Sequence, residues 1–161
     1  MAMLSASTAL GWALRAEASG EVFYREAARR SQNRDVRLLF EDLAYQEERH
    51  HRTFERMLAQ VPPVEDTAVD PAEYEAYLGA TLEHALIGGP EKGLQLAKDA
   101  ADEAAALRAA IAFEKDTLLF FHDLRNMVPA EHREMISAIV AEESSHLRQL
   151  GKVLLSGPWV S

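Results

Sequence analysis

Two long stretches of this chain carry the same pattern. Displaced by 97 residues, the segment from Ser5 falls on the segment from Asp102: Ala9-Leu10 meets Ala106-Leu107, Ala13 meets Ala110, Glu17 meets Glu114, and Phe23-Tyr24 meets Phe120-Phe121. Displaced by 96, the next segment repeats too: Phe40 meets Ile136, Leu43 meets Ile139, Glu47 meets Glu143, His50 meets His146, and Phe54 meets Leu150. The one-residue difference falls in the intervening loop. Apolar positions recur every three or four residues, the period of a helix with one buried face. The repeated unit is therefore a helical hairpin, and two such hairpins can bury their apolar faces only against each other.

Breakers and caps mark out the elements. Ser5 is placed to cap a first helix running to about Ser31. Asp35 is placed to cap a second, which Pro62-Pro63 ends near Gln60. Asp102 should cap a third, ending near Asn126, and Pro129 should open a fourth, ending near Gly151. Each pair is joined by a short link, so its members are antiparallel neighbours. The spacing thus predicts an all-α four-helix bundle in one domain. Its parts are a hairpin over 5–60, a crossover over 61–101, a hairpin over 102–151 and a C-terminal tail over 152–161. Asp70-Pro71 predicts a shorter crossover helix over 71–87, stopped by Gly88-Gly89-Pro90.

The seams are apolar except near their middles. Helix 1 reads Leu10, Leu14, Glu17, Glu21, Tyr24, Ala28. Helix 2 reads Val36, Phe40, Leu43, Glu47, His50, Phe54, Met57. Helix 3 reads Leu107, Ile111, Glu114, Leu118, Phe121. Helix 4 reads Ile136, Ile139, Glu143, His146, Leu150, Val153. A buried carboxylate is costly unless it is paired or bound to metal. Each hairpin offers one Glu from its first helix and Glu-x-x-His from its second, and residues three apart share a helix face. Face to face, the hairpins bring together Glu17, Glu47, His50, Glu114, Glu143 and His146. Four carboxylates and two imidazoles supply ten donor atoms, about five for each of two ions, and two divalent charges neutralise four carboxylates. Without metal, crowding and burial should raise some of these Glu pKa values.

A lone Glu-x-x-His is weak: with 18 Glu among 161 residues, six His predict about 0.7 matches by chance. The symmetric placement of six polar residues on the seams carries the inference instead. The third match, Glu48 with His51, lies one residue off the seam and reads as a solvated pair. Tyr24, two turns after Glu17, is placed either to hydrogen-bond a ligand carboxylate or to be plain core. Glu21 reads as a flank position, because its repeat mate is Leu118. His84, His122 and His132 read as surface residues. Arg25, Arg29, Arg30, Arg34 and Arg37 read as a solvated face or an oligomer contact; a homo-oligomer, a dimer first, is the expected assembly.

Net charge is −9, from 17 basic and 26 acidic residues, which argues against nucleic acid as a partner. No apolar run is long enough to span a bilayer, so no membrane association is expected. Cysteine is absent, which removes thiolate metal sites and disulfides and fits a cytoplasmic setting.

The paired blocks, Glu17 through Phe23-Tyr24 to Leu43-Ala44-x-x-Glu47-x-x-His50 and Glu114 through Phe120-Phe121 to Glu143-x-x-His146, resemble the rubrerythrin-like branch of the ferritin-like superfamily. The resemblance covers both hairpins. It implies a ferritin-like bundle holding two iron ions (or manganese) through Glu17, Glu47, His50, Glu114, Glu143 and His146. It also implies an oxidoreductase that reacts with O2 or peroxide. Rubrerythrins proper carry a rubredoxin domain; with no cysteine here, electrons would come from an external electron-transfer protein. They also carry an extra helix-3 carboxylate three residues from the usual one, where this chain has Ile111 and Thr117. A non-enzymatic iron-binding or storage protein is the alternative, and a metal-free helical interaction module is a third.

Overall fold

The computed structural model describes residues 5–63 and 89–160, and between them 70, 72, 73, 76, 77 and 80. Helix α1 spans Ala6–Arg30 and α2 Arg34–Gln60; α3 spans Gly89–Asp99, α4 Glu103–Met127 and α5 Arg133–Ser156, with a 3-10 turn at Ala130–His132 before the last. Among the described residues there is no strand. The bundle is α1 and α2 packed antiparallel, α4 and α5 packed antiparallel, and α3 laid along α1.

Local chemistry sets most boundaries. Ser5 Oγ accepts the Thr8 N–H at 3.1 Å, and an Asp102 carboxylate oxygen accepts the Ala105 N–H at 2.7 Å, as caps should. The cap of α2 is Asn33 rather than Asp35. Its Oδ1 accepts the N–H groups of both Asp35 and Val36, and Asp35 sits in the first turn, where a carboxylate favours the helix dipole. Pro129 opens the 3-10 turn and α5 follows it.

The crossover departs further from expectation. The helix expected over 71–87 lies for the most part outside the described residues. Gly89 and Pro90, read from the spacing as part of a helix stop, stand at the start of α3, a helix the spacing does not predict. Gly89 takes φ +71, a left-handed conformation only glycine adopts cheaply, and Pro90 occupies the first turn, where its missing N–H costs nothing. Further along, a side chain at Gly93 would overlap the Ser19 carbonyl, so glycine is what lets α3 approach α1 closely. The last helix also outruns its expected end: α5 continues through Gly151 to Ser156, so 152–156 are helix rather than tail. Val153 and Leu154 pack against the core there, and Trp159 folds back to donate to the Leu154 carbonyl at 2.7 Å.

The core lies in two apolar blocks. One gathers Leu10, Ala13, Phe54, Met57, Phe121 and Ile136; the other gathers Phe23, Phe40, Leu43, Leu107, Ala110 and Leu150. The first holds the start of α1 and the end of α2, and the second holds the start of α4. The crossover must therefore travel the length of the bundle, about 40 Å for a helix the length of α2. On α4 the buried stripe is Leu107, Ala110, Phe113, Glu114, Thr117, Phe120 and Phe121. Ile111 and Leu118, expected on the seam, are only half-buried. A straight helix turns 3.6 residues per turn, so its buried stripe drifts from a strict heptad.

Candidate metal centre

Between the two apolar blocks lies a polar layer. Glu17, Glu47, Glu114, Glu143 and His146 have no exposed surface and His50 has 2%. The structure brings all six expected residues together, in two overlapping groups. Glu17, Glu47, His50 and Glu143 each place a donor atom within 4.8 Å of the others, and so do Glu47, Glu114, Glu143 and His146. Glu47 and Glu143 belong to both. Each hairpin thus supplies one group's distinctive pair, Glu17 with His50 or Glu114 with His146.

The imidazoles point Nδ1 inward. His50 Nδ1 stands 2.8 Å from Glu143 Oε1, and His146 Nδ1 stands 2.8 Å from Glu143 Oε2. The rings lie nearly parallel, with centroids 5.8 Å apart. These are ion-pair distances, yet the atoms are off the line of a hydrogen bond. Nine inward atoms lack a hydrogen-bond partner: both oxygens of Glu17, Glu47 and Glu143, Glu114 Oε2, and Nδ1 of each His. Buried polar atoms are rarely left so, and here they converge on shared points. The tenth donor, Glu114 Oε1, accepts the Tyr24 hydroxyl at 2.5 Å. Tyr24 therefore reaches across to the other hairpin's carboxylate rather than to Glu17. Oxygen and imidazole donors without hydrogen-bond partners suit hard or borderline metal ions, so the residues fit such a centre.

Electrostatics give the same picture. Burial, then the charge of Glu143, raises the pKa values of Glu17 and Glu47 well above the ordinary range and that of Glu114 to about 8. Burial would raise Glu143 too, but its contacts with His146 and His50 outweigh it and hold that carboxyl well below the ordinary range. Burial would lower both imidazoles; the Glu143 contact outweighs it for His50, and Glu114 and Glu143 do so for His146. The results are about 9 and about 10. Tyr24 is pushed up by burial and then by Glu114, so it keeps its proton. At neutral pH the metal-free cluster therefore keeps a proton on Glu114 and two imidazolium rings beside an ionised Glu143, and burial favours the protonated forms of Glu17 and Glu47.

Small and polar neighbours shape the layer. A side chain at Gly20, one turn after Glu17, would overlap Glu47 Oε2. We expect Gly20→Ala to displace that carboxylate and weaken metal binding about tenfold while keeping the helix, which Ala favours. A metal titration of the folded variant that overlays the parent's would show that Glu47 has room to spare. Thr117, where the resemblance directed attention to a further carboxylate, is buried and donates to the Phe113 carbonyl at 3.0 Å.

A family model described as Rubrerythrin matches residues 8–154. The chain belongs to the rubrerythrin family. No curated protein and no solved structure gives a significant match. Like the fold, the chain's buried Glu and His cluster accords with the family, and the cluster could hold metal. No helix among the described residues is long and apolar enough to cross a membrane.

The remaining candidates lie elsewhere. Glu21 pairs with Arg25 at 2.8 Å on the surface, and Arg29 pairs with Glu26, as a solvated face would. Glu48 does not pair with His51: it binds Arg25 and Arg52, while His51 stands 3.8 Å from Glu55, since i to i+4 geometry offers each a better partner. His122 is exposed, whereas His132 is buried by the turn that precedes α5. His84 lies outside the described residues. Two residues the spacing does not flag touch the centre from behind. Glu142 Oε2 is 2.7 Å from His50 Nε2, and Gln46 Oε1 is 2.8 Å from His146 Nε2. Each stands directly before a shared Glu, and the 96-residue displacement superposes them, which is the signal that finds them.

Proposed function

We propose that this chain is a di-iron protein that reduces O2 or a peroxide with electrons from an external electron-transfer protein. One observation carries the reading: two overlapping groups of buried donors, sharing Glu47 and Glu143, whose inward atoms lack hydrogen-bond partners. Glu17 and His50 would hold one ion, Glu114 and His146 the other, and Glu47 and Glu143 both. Bound iron would bind the oxidant and pass electrons to it; manganese is the alternative with the same donor preference.

The chain's own residues do the rest. The apolar blocks on either side exclude water, which strengthens every charge interaction between them. Both His rings are held by their outer nitrogens, so their inner nitrogens need not reorganise on binding. Tyr24 keeps its proton on the phenol oxygen and fixes the orientation of Glu114.

The test is anaerobic loading with Fe(II), then mixing with peroxide or O2 in the presence of a reductant. Turnover with two Fe(II) per chain supports the proposal. Accumulation of many ferric ions per chain in a large assembly would make it a storage protein. Purification without metal from iron-replete cells would make it a helical interaction module. Tyr24→Phe should change the oxidation rate about tenfold and metal affinity less, since it removes a hydrogen bond to a ligand and no ligand. Oxidation traces that overlay the parent's at matched loading would reduce Tyr24 to core packing.

A further inference from the structure

The repeat matches the two imidazoles, but the groups behind them differ in charge. Behind His50 stands a carboxylate: Glu142 Oε2 accepts from His50 Nε2 at 2.7 Å and is itself held by the Arg49 guanidinium. Behind His146 stands a neutral amide. Gln46 Nε2 donates to Asp42 at 2.7 Å, which fixes the amide so that its Oε1 accepts from His146 Nε2 at 2.8 Å. A carboxylate accepting the outer N–H of a ligating imidazole makes the inner nitrogen a better donor than an amide does. A second difference runs the same way. The Tyr24 hydroxyl draws charge from Glu114, whereas neither oxygen of its counterpart Glu17 has a hydrogen-bond partner.

We infer that the two metal positions are unequal: the Glu17–His50 position binds its ion more tightly than the Glu114–His146 position, with Glu142 and Gln46 as the positioning residues that set the difference. This rests on the reading that the cluster holds two ions, and it adds an order of loading to it. Neither Glu142 nor Gln46 would touch metal or oxidant; each acts through the imidazole it holds.

The experiment titrates the full metal-free chain with Co(II), followed by visible absorption of the bound ion and by calorimetry. The parent should bind two ions in steps separated by about tenfold or more. Glu142→Gln, which gives both imidazoles an amide, should weaken the first step by about tenfold and draw the steps together, with a shift in the first ion's absorption bands. Glu142→Asp, which keeps a carboxylate, should restore most of the separation. Gln46→Glu, made together with Asp42→Asn so that two carboxylates do not collide, should strengthen the second step and stands on its own if Glu142→Gln does not fold. Two equal steps in the parent, or a separation that neither Glu142→Gln nor the Gln46 variant moves, would overturn the inference and leave the two-ion centre intact. Binding of one ion or none would overturn the two-ion reading itself.

Discussion

Loading the metal-free protein with two divalent ions at pH 7 should release about three protons per chain or more. Glu114 is largely protonated there and both imidazoles are cationic; burial also favours the protonated forms of Glu17 and Glu47, whereas Glu143 already carries the charge a ligand needs. The protons on Glu114 and on the inner nitrogens of both imidazoles must leave before those donors can bind. Metal affinity should therefore rise steeply with pH, and the number of protons released should fall as pH passes about 8, where Glu114 titrates, and then about 9 and about 10 for His50 and His146. The rise in melting temperature on adding metal should follow, small at pH 5 and large near pH 8. Calorimetry with Mn(II) between pH 6 and pH 8, in buffers of different ionisation enthalpy, counts the protons. A release near zero at pH 7 would mean that the cluster is already ionised, and that burial does not govern it.

The hairpins and the six clustered residues were readable in the sequence for one physical reason. A carboxylate on an apolar seam conflicts with burial, and the same conflict at matched positions of a repeat is hard to produce by accident. What escaped reading depends on contacts between segments far apart in the chain. Glu142 and Gln46 reach the imidazole of the opposite hairpin, and spacing along one helix says nothing about partners on another. Likewise Tyr24 was visible as a phenol near Glu17, but its bond to Glu114 spans ninety positions. Helix α3 was not anticipated because glycine and proline punctuate both ends of helices, and the close approach that Gly93 permits to Ser19 on α1 depends on a segment far away in the chain. Asn33 and Asp35 could each cap α2, and only the reach of the Asn33 side chain to two N–H groups separates them.

Glu143→Gln should destabilise the metal-free protein more than any other single carboxylate change, while Glu17→Gln should stabilise it at high pH. Each Glu143 oxygen stands 2.8 Å from one imidazole Nδ1, so this one carboxylate offsets two buried cations. Removing one partner of a buried ion pair leaves the other uncompensated, and here the loss is about 3 kcal/mol near pH 7. The Glu143 folded pKa is depressed, so its contribution is present above the ordinary Glu value of 4.5 and is lost as pH falls through the folded value. At the alkaline end the gap between parent and variant should narrow as His50 and His146 lose their protons near about 9 and about 10. Glu17 has the opposite sign. Its folded pKa is raised, so its contribution is full below 4.5 and is lost as pH rises through the folded value. Gln is a neutral isostere of its protonated form, so Glu17→Gln should match the parent near pH 4 and exceed it increasingly as pH rises from 4.5 towards the folded value, while still weakening metal binding through the lost ligand. Denaturant unfolding of the metal-free parent and both variants at pH 4, 7 and 9 checks this. Two variant curves that run parallel to the parent across pH would show that Glu143 and Glu17 are not shifted in opposite directions.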